Sequence, residues 1–284
     1  NNNSAGTIMI NNSTIRNSTQ DAVVNSSTGL IKFNDGGTIE QKSNIKSAIY
    51  NKSTGTIELS ASTVKITSSG NGVYNGGSGT INAEYGDITA TGTAIRGFTG
   101  SVYIGVNDST MTPIPNVTGG GNGVTVDSGG KIYFYDGTIK GKQGTSIVGT
   151  VAEVASGYGI YKVVDNSNIE TATLTTKRSL NIVTNGGTYN GTTGTTIVTG
   201  AQKSTVKVAN PTKANYTVTY NYNGSGAANT TATATNTFKN WTLSGSGNYI
   251  AGVNSATGSF TRTAKTESGV NYLNFTKTIP TAPT

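Results

Sequence analysis

The sequence contains no cysteine and no histidine. These absences exclude disulfide bonds, thiolate chemistry, zinc sites built on cysteine or histidine, and histidine-based acid–base catalysis. No apolar run approaches the roughly 18 residues that a membrane-spanning helix needs. We therefore expect no membrane span in this chain and no cofactor. The chain begins with NNNSAGTIMI, already inside the pattern described below, which is typical of a processed mature form or a fragment.

Acidic residues are nearly missing from the C-terminal part of the chain. Residues 1–170 contain 11 Lys or Arg and 12 Asp or Glu, whereas residues 171–284 contain 9 Lys or Arg and the single acid Glu267. Such diffuse positive charge could favour an anionic surface or glycan, or it could only keep a strand-rich surface soluble. Because the basic residues form no cluster interleaved with stacking aromatics, we expect no nucleic-acid partner.

Threonine, glycine and asparagine dominate what is present, with 50, 39 and 32 residues. The stretch Gly55–Ser78 holds three short alternating runs, GTIEL, STVKI and GVYN, and each has the two-residue period of a strand with one buried face. The same three runs recur at intervals of 21 to 30 residues, in units that begin at Gly6, Gly29, Gly55, Gly79, Gly100 and Gly130. A period of this length with three strands predicts an all-β fold, a right-handed parallel β-helix of about six coils, over residues 1–143.

The alternation also predicts which side chains stack inside the helix. The first strand is expected to supply two inward columns, Ile8, Ile31, Ile57, Ile81, Val102 and Ile132, then Ile10, Phe33, Leu59, Ala83, Ile104 and Phe134. The second strand is expected to supply Ile15, Ile39, Val64, Ile88, Met111 and Ile139, and the third Val23, Ile49, Val73, Ile95 and Val124. Each side chain would then pack against its counterparts in the coils before and after it.

Asparagine is expected to hold one corner of the helix. Asn25, Asn51 and Asn75 follow the third strand in successive coils. Stacked amides can hydrogen-bond along the axis, and asparagine tolerates the left-handed backbone that a corner can require. We therefore predict an asparagine ladder.

Charged residues outside the helix are predicted to pair between coils. Arg16, Glu40 and Lys65 fall in one outward column of alternating sign, and Lys32 would lie over Glu58 in another. Opposite charges on neighbouring strands stabilise a sheet modestly, so we interpret these pairs as devices that fix the register.

The fifth coil carries an insertion, NDSTMTPIPNVTGGGNG, between Ser101 and Val126. Insertions in repeat proteins map to surface loops and are frequent binding sites, although this one could also simply cover the core. Exposed tyrosines beside it could stack on a sugar ring or lie under the next domain. The candidate ligand or subunit contacts in this region are Tyr103, Tyr133, Tyr135, Pro113 and Pro115.

The coil pattern ends near residue 143. Residues 144–183 are predicted to form cap and junction strands, and residues 184–284 a smaller β-rich module centred on Trp241 and Phe238. In that module YTVTYNYNG followed by FKNWTLSG resembles the Listeria–Bacteroides (internalin B-repeat-like) modules of Gram-positive surface proteins, with Asn240 where those modules usually have glycine. The Thr/Gly-rich coils similarly resemble the β-helical stalks of Bacillota cell-surface proteins. The resemblance implies an extracellular, cell-surface location.

Catalysis is not expected. The outward acids that could serve a glycan-cleaving enzyme are Glu58, Glu84, Asp87 and Asp108. No coil brings three of them together, and Arg96 has no acid in the neighbouring columns, so neither a calcium-dependent lyase nor a paired-carboxylate hydrolase is indicated. An internal isopeptide bond is also not expected, since Glu267 is the only acid available in the C-terminal module.

Three functions remain open at this point. The first is a non-enzymatic structural protein, a bacterial surface stalk, adhesin or fibre subunit that assembles head to tail through its first coil, near Ile8, or its extended tail, near Ile279. The second is an adhesin module that binds a glycan or a host surface. The third is a polysaccharide lyase or hydrolase built on a β-helix.

Overall fold

A computed structural model describes residues 1–108, 114–127 and 129–204, and five strands further along the chain. All regular secondary structure in these residues is β. None of them forms a helix long and apolar enough to cross a membrane. The described part of the first 148 residues forms six coils with three strands each, which confirms the predicted all-β parallel helix.

The strands of the six coils, in chain order, are β1 (Thr7–Ile10), β2 (Ser13–Asn17), β3 (Val23–Asn25), β4 (Leu30–Phe33), β5 (Gly37–Gln41), β6 (Ser47–Asn51), β7 (Thr56–Leu59), β8 (Val64–Ser68), β9 (Asn71–Asn75), β10 (Thr80–Ala83), β11 (Asp87–Ala90), β12 (Ile95–Gly97), β13 (Ser101–Ile104), β14 (Asn116–Gly119), β15 (Val124–Val126), β16 (Lys131–Phe134), β17 (Thr138–Lys142) and β18 (Ile147–Val148).

Each coil gives one strand to each of three parallel sheets. The first sheet runs β1-β4-β7-β10-β13-β16, the second β2-β5-β8-β11-β14-β17, and the third β3-β6-β9-β12-β15-β18. Neighbouring strands in a sheet lie about 4.8 Å apart, so each coil adds that length to the stack. The result is a column of coils with a narrow apolar interior.

The inward columns of the first and third sheets follow the predicted register. Ile31 pairs with Ile57, and Ile57 with Ile81, and all three side chains are fully buried. In the third sheet Val73 pairs with Ile49 on one side and Ile95 on the other. Burying one such side chain contributes roughly 1.5–3 kcal/mol, so the stacked columns are the main stabilising feature of the helix.

The second sheet departs from the predicted register. Ile39 pairs with Ile66 instead of Val64, and Val64 lies opposite Gly37. Both Val64 and Ile66 point inward, because they are two residues apart on one strand and both are buried. Alternation alone therefore could not choose between them.

The prediction for the fifth coil was also wrong. Val117 occupies the inward position that had been assigned to Met111, and Met111 itself lies outside the described residues. Val117 belongs to β14, which lies inside the segment interpreted from sequence as one long loop. The insertion is consequently shorter than predicted and ends at Pro115.

The asparagine ladder is present at the corner after the third strand. Asn25 Nδ2 donates to Asn51 Oδ1 over 3.0 Å, and Asn51 Nδ2 donates to Asn75 Oδ1 over 2.8 Å. All three asparagines are fully buried. Asn2, which was not predicted, extends the corner by one step, since it forms a parallel bridge with Asn25.

Each asparagine also donates to the carbonyl oxygen of the glycine four residues later. Asn51 Nδ2 lies 2.7 Å from Gly55 O, and Asn2, Asn25 and Asn75 make the same contact. A Cβ at Gly55 would overlap the carbonyl oxygen of the corresponding glycine in the preceding coil. The sequence Asn-x3-Gly is therefore the unit of this corner, and glycine is required there by close backbone approach.

Two of the predicted charge pairs form and one does not. Arg16 Nε lies 2.7 Å from Glu40 Oε2, and Lys32 Nζ lies 3.1 Å from Glu58 Oε2. The hydrogen bond from Arg16 lowers the pKa of Glu40. Lys65 is not the cross-strand partner of Glu40, because the register of the second sheet places it between Thr38 and Asp87, and its charge makes only the smallest contribution to the lowered pKa of Glu40.

The last coil is followed by strands β19 (Val151–Val154), β20 (Tyr158–Val164) and β21 (Ile169–Tyr189). β19 adds to the first sheet, and the start of β21 pairs antiparallel with β17, so that Ala172 lies opposite Ile139. The chain divides into two compact units, Asn1–Thr175 and Thr176–Thr284. The domain boundaries predicted at 143 and 183 stay predictions.

A buried carboxylate joins these closing strands to the last coil. Glu170 Oε1 accepts hydrogen bonds from the backbone N–H of Ser146, over 3.2 Å, and from its hydroxyl, and it lies 2.9 Å from Lys162 Nζ. Burial alone would raise the pKa of Glu170, but the hydrogen bonds from Ser146 and the contact with Lys162 outweigh it and lower that pKa. Glu170 therefore remains ionised at neutral pH.

The described residues of the second unit comprise the end of β21 and six further strands, β22 (Thr192–Ala201), β23 (Thr217–Thr219), β24 (Thr237–Lys239), β25 (Thr242–Leu243), β26 (Ser259–Glu267) and β27 (Val270–Thr278). β21 and β22 form a hairpin, β27 pairs parallel with β21 and antiparallel with β26, and β23 pairs antiparallel with β24. Trp241, Asn240, Ile279 and Pro113 lie outside the described residues. The likeness to Listeria–Bacteroides modules stays a prediction.

Candidate ligand-binding groove on the fourth and fifth coils

The corner between the first and second strands is enlarged only in the fifth coil. There the connection comprises residues 105–115, whereas in the other five described coils it has two to four residues. Gly105 begins it with a φ of 78°, and a Cβ at this position would overlap the backbone of Asp136 in the next coil. A glycine therefore lets the chain leave the coil while the strands around it stay in register.

Two of the predicted tyrosines stack immediately beside this connection. Tyr103 and Tyr133 are paired in register on β13 and β16, and their ring centroids lie 4.4 Å apart with an angle of 10° between the planes. Both rings stand on the outer face of the first sheet and are half-buried. The prediction that these two residues are outward neighbours is confirmed.

Tyr135 does not match its predicted place. Its side chain is only 9% exposed, and its ring is tilted against both Tyr103 and Tyr133 at 6.4 and 6.3 Å. β16 ends at Phe134, so Tyr135 lies in the turn, where the alternation of the strand no longer sets its direction. Burial raises the pKa of its hydroxyl, and the negative charge of Glu153 adds to the effect.

An open groove of about 440 Å³ lies next to the Tyr103 ring. On the fourth coil it is lined by Thr80, Asn82 and Glu84, and on the fifth and sixth coils by Tyr103, Tyr135 and residues 105–107. The groove surface is thus chemically mixed. It offers the aromatic ring of Tyr103, the hydroxyl groups of Thr80 and Tyr135, the two amides of Asn82 and Asn107, and the carboxylate of Glu84.

The groove lies where the side chains in the outward column of the first sheet change from small to large. Tyr103 lies between Asn82 and Tyr133 in the column. Tyr133 stacks on one face of the Tyr103 ring, and the shorter Asn82 is the register neighbour on the other side, where both Asn82 and Tyr103 line the groove. A ring-shaped ligand could take the place that a further aromatic side chain would fill.

The other predicted contact residues lie elsewhere. Pro115 is buried, and its carbonyl oxygen accepts a hydrogen bond from the N–H of Thr138, so it closes the connection against the sixth coil. Ile8 lies in β1, paired with Ile31 and partly buried at the first coil. Neither lines the groove.

Two of the four candidate acids are held by other side chains. Glu58 is bound to Lys32, and Asp87 accepts a hydrogen bond from Asn116 Nδ2 over 2.9 Å. The described residues contain no group of three side chains suited to hold a metal ion. Arg96, expected to have no acidic partner, lies 3.1 Å from Asp127, which follows the third strand of the next coil.

A second aromatic stack was missed in the sequence. Tyr50 and Tyr74 lie on the outer face of the third sheet, with centroids 4.9 Å apart and nearly parallel planes, and Arg96 lies over the Tyr74 ring at 5.3 Å. Both tyrosines directly precede a ladder asparagine, in AIYN and GVYN. That spacing could have indicated the stack.

Comparisons with protein-family models, with curated proteins and with solved structures find no match to this chain.

Proposed function

We propose that this protein is a non-enzymatic structural protein of a bacterial cell surface, a stalk, adhesin or fibre subunit. The observation that carries the proposal is the regular stack of six coils, in which columns of similar apolar side chains fill the interior from coil to coil. Such a stack gives a rigid, extended element whose length grows with each repeat. The extracellular location and the Gram-positive origin implied by the sequence resemblance belong to the same proposal.

Self-association would follow from the edges at the first coil. Among the residues that the structure describes, β1 and β2 each pair with a strand on one side only, and unpaired edge strands are templates for further strand pairing. The third sheet differs, because Asn2 pairs with Asn25 of its own chain there. We therefore place the head-to-tail contact at β1 and β2, with Ile8 at its centre.

Negative-stain microscopy and light scattering of the full chain at rising concentration test this proposal. We expect filaments or oligomers that lengthen with concentration, and we expect Ile8→Lys to abolish them by burying a charge in the contact. Ile45→Lys is the matched control, since Ile45 is 80% exposed and lies in the second coil. A monodisperse monomer at all concentrations would contradict assembly.

A second function, glycan binding by an adhesin, is favoured by the groove beside Tyr103. The two functions are compatible, because the groove lies on the side of the stack and the proposed contact lies at its first coil. The groove is developed below.

A further inference from the structure

We infer that the groove beside Tyr103 binds a neutral or amino-bearing sugar ring, which stacks on the open face of the Tyr103 side chain. The inference goes beyond the structural role proposed above and does not depend on it.

The spacing of the aromatic stack suits a ring-shaped ligand. Tyr133 already lies 4.4 Å from Tyr103 on one side, which shows that the outer face of this sheet accommodates parallel rings at the separation of successive coils. On the other side the register partner is Asn82, whose side chain is shorter than a ring. A pyranose ring laid there would place its apolar C–H face against the tyrosine, the contact that aromatic rings offer to sugars.

The remaining walls of the groove carry polar groups that can pair with sugar hydroxyls. Thr80, Asn82 and Asn107 offer hydroxyl and amide groups that both donate and accept hydrogen bonds. A sugar ring presents hydroxyl groups around its edge and therefore matches such walls, whereas a flat apolar ligand would leave them unpaired. The volume, about 440 Å³, lies in the range of small-ligand sites.

The groove carries a negative charge. Glu84 is the one charged side chain among the described residues that line the groove. A carboxylate repels uronic and sialic acids but accepts hydrogen bonds from hydroxyl or ammonium groups. The groove is thus expected to reject acidic glycans, although the C-terminal part of the chain carries a net positive charge.

A single carboxylate also favours binding over cleavage. Glycoside hydrolysis generally needs two carboxyl groups on opposite sides of the scissile bond. Glu84 has no such partner among the described residues of the groove, so we assign it a role in specificity.

The test uses the full-length chain and three trisaccharides of matched size, built from N-acetylglucosamine, glucosamine or galacturonic acid, together with an array of neutral glycans that samples other stereochemistries. We expect binding to at least one neutral or amino-bearing glycan and none to the galacturonic acid trisaccharide. Tyr103→Ala should lower the affinity about tenfold, which corresponds to the loss of one aromatic stacking contact. Tyr103→Phe, which keeps the ring, should bind like the unmodified protein.

Tyr50→Ala is the matched control, because it removes a stacked outward tyrosine from another sheet. Glu84→Gln tests the charge argument without touching the ring, and it should raise the affinity for the acidic trisaccharide. Thermal unfolding of each variant checks that the helix is intact. No binding to any neutral or amino-bearing glycan, a preference for the acidic trisaccharide, or equal losses in Tyr50→Ala and Tyr103→Ala would overturn the inference.

Discussion

The asparagine ladder allows a quantitative test, and Asn51 is its central member. The side chain accepts one hydrogen bond from Asn25 and donates to Asn75, Gly55 and Ser53, all within 3.1 Å. It is fully buried, so water cannot replace these partners. Asn51→Ala removes the amide–amide bonds to both neighbours and leaves the amide oxygen of Asn75 without its donor.

Each lost bond costs roughly 1 kcal/mol, and a buried acceptor left unpaired costs roughly 1–3 kcal/mol. We therefore expect Asn51→Ala to lower the free energy of unfolding by about 3 to 5 kcal/mol. At about 2–4 °C per kcal/mol for a unit of this size, the melting temperature should fall by roughly 6–20 °C. Thermal and urea unfolding followed by circular dichroism measure both values. Asn34→Ala, at an exposed position in the second coil, is the control.

Asn51→Asp adds a pH test to the same position. Its carboxylate would be buried and would face the oxygens of Asn75 and Gly55, so its pKa in the folded state should rise above the unfolded value of about 3.9. When the folded pKa lies above the unfolded pKa, the protonated side chain contributes stability that is fully present below the unfolded pKa. This stability is lost as the pH rises through the folded pKa. The variant should thus recover stability in acid relative to Asn51→Ala. If Asn51→Ala melts like Asn34→Ala, or if Asn51→Asp shows no such recovery, the ladder does not stabilise the corner.

Three further predictions concern the core, the outer face and the closing strands. Ile57→Asp should unfold the helix by placing an unpaired charge in the core, at a cost of several kcal/mol, whereas Thr56→Asp should be tolerated; equal melting temperatures would contradict the register. Glu40→Lys should place a second cation beside Arg16, and the resulting loss of folding stability should shrink in high salt. A loss of stability that does not depend on salt would argue against the ion pair. Glu170→Gln should cost about 1–3 kcal/mol at neutral pH. Because the pKa of Glu170 is lowered in the folded state, the stability that its carboxylate contributes is lost as the pH falls through that pKa. The difference in free energy of unfolding between the unmodified protein and Glu170→Gln, measured in urea, should therefore narrow in acid. A difference that stays constant with pH would refute the role of the ionised carboxylate.

Residues next to a fixed corner were predictable from sequence, and residues after a variable connection were not. The first and third strands adjoin the Asn-x3-Gly corner, whose length is nearly constant, so their columns could be aligned directly. The connection before the second strand varies from two residues to eleven. That variation hid the pairing of Ile39 with Ile66 and the position of Val117.

The candidate groove shows the same limit. Tyr103 and Tyr133 were found because they are large and follow the first-strand pattern. Asn82 was not singled out from the sequence, and Glu84 was considered there only as a possible catalytic acid, because their place in the groove depends on the side chains of the next coil. A groove between coils forms where the register places a small side chain beside a large one. It can therefore be recognised only after the side chains of successive coils have been aligned.

The asparagine ladder and the Tyr103–Tyr133 stack lie in different coils, with the fourth coil between them. The asparagine ladder ends when Asn75 meets Gly97 in the fourth coil. In the fifth and sixth coils the Tyr103–Tyr133 stack takes over the alignment of the first sheet, on the strand immediately before the enlarged connection.

On the far side of that connection, Asn116 is tied to Asp87 of the preceding coil by a 2.9 Å hydrogen bond. The chain is therefore fixed both before and after residues 105–115. A one-residue slip in a flanking strand would turn its buried side chains to the outside, so the strands on both sides hold their register while the segment between them can vary in length and sequence. The same tyrosine that fixes the register also presents its open face to the groove, so the stability of the fifth coil and the proposed sugar contact depend on one side chain.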